Sequence, residues 1–233
     1  MDPEPEVSAH SPTQAQATVA AVATATQVSE AGIVAALLRR RQQVSPKRLR
    51  EPGPDAEQTR ALFDAAAQAP DHGLILPWRF VVVPTSARGL LGDAFAQALF
   101  DRDPNATEMQ LQDARDKAFR GPFLALAIAR LHDEHPEIPP AERLVSLGCA
   151  LQNVLLQAQA QGFGAGLVSG LALNSEPLRR LFMLDDAEQA VCFVLVGTPL
   201  SSKTQRKRPT PESFVSKLHV SPTSATLVQV PAP

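Results

Sequence analysis

Cysteine is scarce in this chain: Cys149 and Cys192 are the only two among 233 residues, both in apolar surroundings and without CxxC spacing. A disulfide framework needs more of them and a secretory setting, so both read as buried thiols in a reducing compartment. Long apolar runs are missing as well. No stretch reaches the ~18 residues expected of a membrane helix, and the N-terminus does not join a basic segment to an apolar core as a secretory signal does. The expectation is a cytoplasmic protein with no membrane partner. A basic excess is also lacking: 22 Lys and Arg stand against 24 Asp and Glu, for a net charge of −2. Nucleic-acid binders usually carry positive charge over a whole domain, so no nucleic acid is expected as a partner. The chain also has no GxSxG elbow, Walker A loop or paired-cysteine metal site. Nothing in it points to a hydrolase triad or a phosphate-cradling P-loop.

Residues 1–28 are rich in Pro, Ala, Thr, Gln and Ser, with almost no large apolar side chain. Such a segment cannot bury enough surface to offset its ordering entropy, which predicts a disordered tail. The stretch 221–233 reads the same way, as a flexible C-terminal tail. One folded domain remains, 29–220, long enough for a sizeable core.

Within it, Ser29 can cap a helix that opens on Glu30 and crowds Arg39, Arg40 and Arg41 into its last turn, acid first and base last. Pro46 closes that region. Asp55 with Gln58 resembles a capping box and starts a second helix running to about Gln68, with Leu62, Phe63 and Ala66 inward. The β-branched run 80–83 is a strand. A helix over 86–101 places Leu90, Leu91, Ala94, Phe95 and Leu99 on one side, and 107–119 is a polar helix. The unbroken apolar run 123–131 suits a central buried strand. The longest helix spans 140–161; its 144–151 portion is apolar or small nearly all round, which asks for cover on both sides. A short helix near 175–183 and a buried strand over 190–196 complete a sheet layered with helices, α+β or α/β.

Six basic residues fall within twelve positions: Arg39, Arg40, Arg41, Lys47, Arg48 and Arg50. A helix end carrying guanidiniums can hold a phosphate. The nearby run Ala69-Pro70-Asp71-His72, followed by Pro77-Trp78-Arg79-Phe80, can supply polar contacts to a flat ring. Together they point to a phosphorylated aromatic cofactor. The glycines at 162, 164, 166 and 170 follow a long helix, the reverse of the Rossmann order, so that fingerprint is rejected. They read instead as a helix cap at Gly162 and as backbone bare enough for a flat ligand to approach. His132, Asp133, Glu134 and His135 are spaced like metal ligands, but they lie in a Pro-rich loop with no further ligand group and read as solvated. Trp78 packs under its loop, its indole N–H in need of a partner.

The segments RRRQQVSPKRLREPGPDAEQ (39–58), APDHGLILPWRFVVV (69–83), GCALQNVLLQAQAQGFGAGLVSG (148–170), VCFVLVGTP (191–199) and RPTPESFV (208–215) resemble, in order and spacing, the flavin-dependent nitroreductase family and its YdjA-like branch. The resemblance covers about 30 to 217. It implies an α+β fold, an interlocked homodimer, FMN at the subunit interface, NADH or NADPH as electron donor, and a small-molecule acceptor reduced in ping-pong fashion. Arg41 matches the family arginine at the FMN phosphate and ribityl region, with Gln42 and Gln43 beside it; the family usually has serine where Gln43 stands. His72 matches a polar residue near the flavin, and Gln68 a position from which a partner subunit reaches the cofactor. Leu167, Val168 and Ser169 match the segment lying along the isoalloxazine. The stretch from Gln157 to Gly162 corresponds to one associated with the nicotinamide cofactor, and Arg206 and Arg208 to basic residues that close on the phosphate. Such a mechanism needs no protein nucleophile, because the cofactor carries the chemistry. Two other classes stay open on the residues alone: a flavin-binding carrier or sensor without turnover, and a partner- or nucleic-acid-binding domain built on the 39–50 cluster.

Overall fold

Ser29 accepts the Gly32 N–H at 3.1 Å and Glu30 opens helix α1, Glu30–Arg40, with Arg39 and Arg40 in the last turn. The arrangement is the expected one, a capping hydroxyl and an acid at the positive end and bases at the negative end. The computed structural model describes residues 29–201, 206–221 and 224–229, so the expected tail over 1–28 lies outside the described residues. The chain divides into two units, 1–41 and 42–233. In the first, α1 has no buried residue, and Ile33, Val34 and Leu38 are exposed. The six-residue basic cluster is therefore split between units, with Lys47, Arg48 and Arg50 in the second.

The second unit is built on an antiparallel sheet. Strands β1 (Leu49–Arg50), β2 (Trp78–Val82), β3 (Phe123–Arg130), β4 (Gly164–Val168) and β5 (Glu188–Pro199) stand in the order β1-β5-β3-β2, and β4 also pairs with β5. Register partners Phe123↔Val196 and Gly164↔Gly197 put β3 and β4 on opposite edges of β5. Helices α2 (Ala56–Ala66) and α5 (Pro140–Ala160) cover one face, packing Leu62, Ala66, Leu147, Leu151 and Val154 on Phe123, Ala125, Ala127 and Ala129 of β3. On the other face Leu124, Leu126 and Ile128 meet Leu91 and Ala94 of α3 (Arg88–Arg102) and Leu178 of α6 (Glu176–Leu181). Both faces of β3 are thus buried, which explains why its sequence does not alternate. Helix α4 (Glu108–Asp116) opens on a Thr107 capping box and α2 on the expected Asp55–Gln58 box.

Some expectations need correction. The strand expected at 80–83 starts at Trp78, which is buried and donates its indole N–H to Ser146 Oγ at 3.0 Å. Leu90 faces solvent at 62 % exposure, because the inward stripe of α3 runs through Leu91, Ala94 and Ala98. Within this chain the 144–151 stretch is covered on one side, and Leu144 and Val145 on the other side are exposed. The 132–135 loop is more than a solvated turn. Asp133 accepts two hydrogen bonds from the buried Arg143 guanidinium, which also donates to the Ile138 and His135 carbonyls. Those charge-assisted bonds hold its carboxyl far below the ordinary carboxylate range. The flexible tail expected over 221–233 is corrected at its described residues, 221 and 224–229. Strands β6 (Ser216–Ser221) and β7 (Ser224–Gln229) pair antiparallel there, Leu218 opposite Leu227, since alternating Leu, Val and Thr favour a hairpin over coil.

Candidate functional site

The free end of β4 and the helices above it enclose a cavity of about 460 Å³. Phe95 and Leu99 of α3, Leu124 of β3, and Phe193 and Leu195 of β5 give it an apolar lining. Val168, Ser169 and Gly170 form one wall, with Leu171–Leu173 beyond them. Arg102, Lys117 and Arg120 bring positive charge to it. A polar annex of about 310 Å³ shares Leu99, Lys117 and Arg120 and adds Lys47, Gln110 and Asp113. Lys47, Lys117 and Arg120 form no side-chain hydrogen bond or ion pair among the described residues. Cations that converge unpaired on a hydrophobic hollow are what an anionic ring-bearing ligand requires.

Two polar devices hold these walls. Arg88 is 4 % exposed and spends its guanidinium on carbonyls: Nε donates to Val83 O at 3.1 Å, Nη1 to Ala118 O at 2.6 Å and Nη2 to Pro122 O at 3.2 Å. The turn bearing Lys117 and Arg120 is pinned at both ends by these bonds. Burial lowers the Arg88 pKa from its ordinary value. On the opposite wall, the Gln43 carboxamide closes a two-point clamp on Leu167. Its Nε2 donates to Leu167 O at 2.6 Å, and Leu167 N–H donates to its Oε1 at 3.1 Å.

The glycines of β4 serve this same approach, not a ligand's, which corrects the expectation for 164 and 166. A Cβ on Gly166 would stand 2.3 Å from Val44 O, and one on Gly164 would crowd Val44, Leu49 and Pro199 at 3.0–3.1 Å. Gly170 differs: it lines the cavity, and an added Cβ there meets nothing within 4 Å. Gly162, with φ +86°, caps α5 as expected.

Of the expected site residues, Val168 and Ser169 line the cavity and Leu167 adjoins them. Gln42 is half-buried at the start of the second unit, and Arg41 caps α1 with its N–H on Leu37 O. His72 lies on an exposed turn, its Nδ1 2.7 Å from Glu142 Oε1 on α5. Gln68 is exposed just past α2, Gln157 is half-buried on α5, and Arg206 and Arg208 are exposed on the segment before the Pro211–Ser213 turn. These residues do not line the cavity. Sequence reading missed Lys117, Arg120, Arg102 and Phe95. Lys117 and Arg120 lie on the turn before β3 and carried no local signal of this role.

Cys192 is buried in β5, where desolvation pushes its thiol up to about 11, away from nucleophilic work. No cluster of His, Cys, Asp and Glu that could hold a metal occurs among the described residues, and no helix there is long and apolar enough to cross a membrane.

Comparison with known proteins agrees with this geometry. A Haemophilus influenzae protein named as an NAD(P)H nitroreductase is 32 % identical over 163 residues, 70 % of this chain and 87 % of its own length. The Escherichia coli protein named as NAD(P)H nitroreductase YdjA is 32 % identical over 173 residues, 74 % of this chain and 93 % of its own. A solved structure of a variant of the FMN- and NADPH-dependent nitroreductase NfnB, from Sphigopyxis sp. strain HMH, superposes with a TM-score of 0.61 at 17 % identity, covering 78 % of this chain and 96 % of its own. The model of the nitroreductase family matches residues 39–198. Those 160 positions contain the five-stranded sheet up to Thr198 and both cavity walls, and the chain belongs to the nitroreductase family, in its YdjA-like branch.

Proposed function

We propose that this chain is an FMN-dependent oxidoreductase that takes electrons from NADH or NADPH and passes them, in ping-pong fashion, to a small reducible acceptor such as a nitroaromatic or a quinone. The observation that carries the reading is the 460 Å³ apolar cavity with Lys117 and Arg120 unpaired at its polar annex. A tricyclic ring suits the hollow and an anionic group suits the cations. FMN, when bound, supplies the two-electron transfer, leaving orientation and electrostatics to the protein. Val168, Ser169 and Gly170 would supply one wall for the ring. Phe95, Leu99, Leu124, Phe193 and Leu195 exclude water from it. Lys117 and Arg120 would hold an anionic group of the cofactor by charge-assisted contacts and add positive charge to the site. Arg41, Gln42, Arg206 and Arg208 toward the phosphate, and Gln68 and His72 toward the flavin, are proposed from the family resemblance alone. The same holds for Gln157 and Gly162 toward the nicotinamide.

The chain acts as a homodimer in this reading. Supporting it are the uncovered Leu144 and Val145 on α5, an apolar face that a second copy would bury. Static light scattering at micromolar concentration should give twice the 24.9 kDa chain mass, and a monomer would contradict the assembly. For the site, Lys117→Met removes a charge without shortening the side chain greatly. Loss of one charge-assisted contact predicts FMN affinity weaker by on the order of 1.5–3 kcal/mol. Fluorescence titration with FMN checks this, and an unchanged dissociation constant would remove Lys117 from the site.

A further inference from the structure

Val44 and Gln43 meet the outer edge of β4. Val44 N–H donates to Ala165 O at 2.9 Å, and Gln43 forms an isolated parallel bridge with Ala165. The Gln43 side chain then continues where its backbone stops, meeting both polar groups of Leu167 at 2.6 and 3.1 Å. Residues 165 and 167 point the same way along the edge, because outward-facing groups recur every second residue of a strand. One further step along is Ser169, which lines the cavity together with Val168. On the inner edge β4 is fixed to β5 only as far as Val168↔Phe193. The last outward bonds before the cavity wall are therefore the two made by Gln43.

We propose that Gln43 is a positioning residue: acting through the Leu167 backbone, it sets where Val168, Ser169 and Gly170 stand as the wall of the cofactor cavity. The inference rests on the flavin reading of that cavity. The chemistry requires a carboxamide. Leu167 presents a donor and an acceptor side by side, so the partner must offer an acceptor and a donor at the same spacing. Alanine offers neither, and glutamate has the reach but, when ionised, turns a second acceptor on Leu167 O. A protonated glutamate regains the donor, and the carbonyl it faces favours that neutral form. A wall held in place before the ligand arrives binds more tightly than one that must be ordered on binding.

The test uses Gln43→Ala and Gln43→Glu in the full chain, with two readouts at pH 5 and pH 8, each referred to wild type at that pH. Amide hydrogen exchange at Leu167 is measured in flavin-free protein, and FMN affinity by fluorescence titration. For Gln43→Ala, faster Leu167 exchange and FMN affinity weaker by about tenfold are expected at both pH values. For Gln43→Glu the same losses are expected at pH 8, and both readouts return toward wild type at pH 5. Unchanged exchange and affinity in Gln43→Ala would overturn the proposal. So would weakened FMN binding with wild-type Leu167 exchange, which would mean that Gln43 touches the cofactor itself. Wild-type protein that takes up no FMN overturns the flavin reading instead, and the exchange data on flavin-free protein keep that failure separate from the clamp.

Discussion

Glu188 accepts a bidentate pair of hydrogen bonds from Arg79, both at 2.7 Å, and its carboxylate is 3 % exposed with Arg130 a further 3.6 Å away. These bonds, and then the positive charge of Arg79, hold its pKa below the ordinary value. A carboxylate depressed in the folded state contributes stability above its unfolded pKa of about 4.3, and the contribution disappears as pH falls through the folded value. Wild type should therefore lose more stability between about pH 5 and 3 than Glu188→Gln does. At neutral pH that variant should be less stable by on the order of 2 kcal/mol, below the range for a fully buried pair because Arg79 is partly exposed. Urea titrations at neutral and acid pH check both statements, and parallel pH profiles for the two proteins would contradict the first.

At the scale of elements, β4 and its neighbours show what the glycines are for. Gly166→Ala sets a methyl 2.3 Å from Val44 O, a backbone atom that cannot rotate away. It should destabilise the fold by about 1–3 kcal/mol, the usual effect of overpacking. Gly170→Ala meets nothing within 4 Å. It should leave the melting temperature within about a degree or two of wild type, while its methyl, entering the cavity, weakens FMN binding. Equal thermal losses in the two variants would contradict this division. The same elements show what a sequence makes legible. Caps are local, so Asp55–Gln58 and Ser29 could be read directly, and the apolar run of β3 announced burial on both faces. Val168 and Ser169 were legible through the family pattern. Lys117 and Arg120 were not, because their role depends on α4, β3 and β4 meeting across long sequence separations. The contact of Gln43 was not legible for the same reason: 124 positions separate it from Leu167, and no local pattern shows that its amide meets that backbone. The expected tail after 221 failed differently, since low complexity hid an alternation that pairs Leu218 with Leu227.

For the molecule as a whole, the proposed function makes sheet, helices and cavity of the second unit one scheme, in which the protein would shape and charge a pocket and a bound cofactor would perform the transfer. The central claim is redox turnover of a bound flavin. The most direct measurement is the visible spectrum of the protein loaded with FMN, recorded without oxygen before and after addition of NADPH or NADH. A flavin band that bleaches with one donor and returns when a nitroaromatic or quinone is added is the predicted result. A band that persists with both donors would contradict turnover and leave a flavin-binding protein, and a protein that takes up no FMN at all would contradict the cofactor site itself.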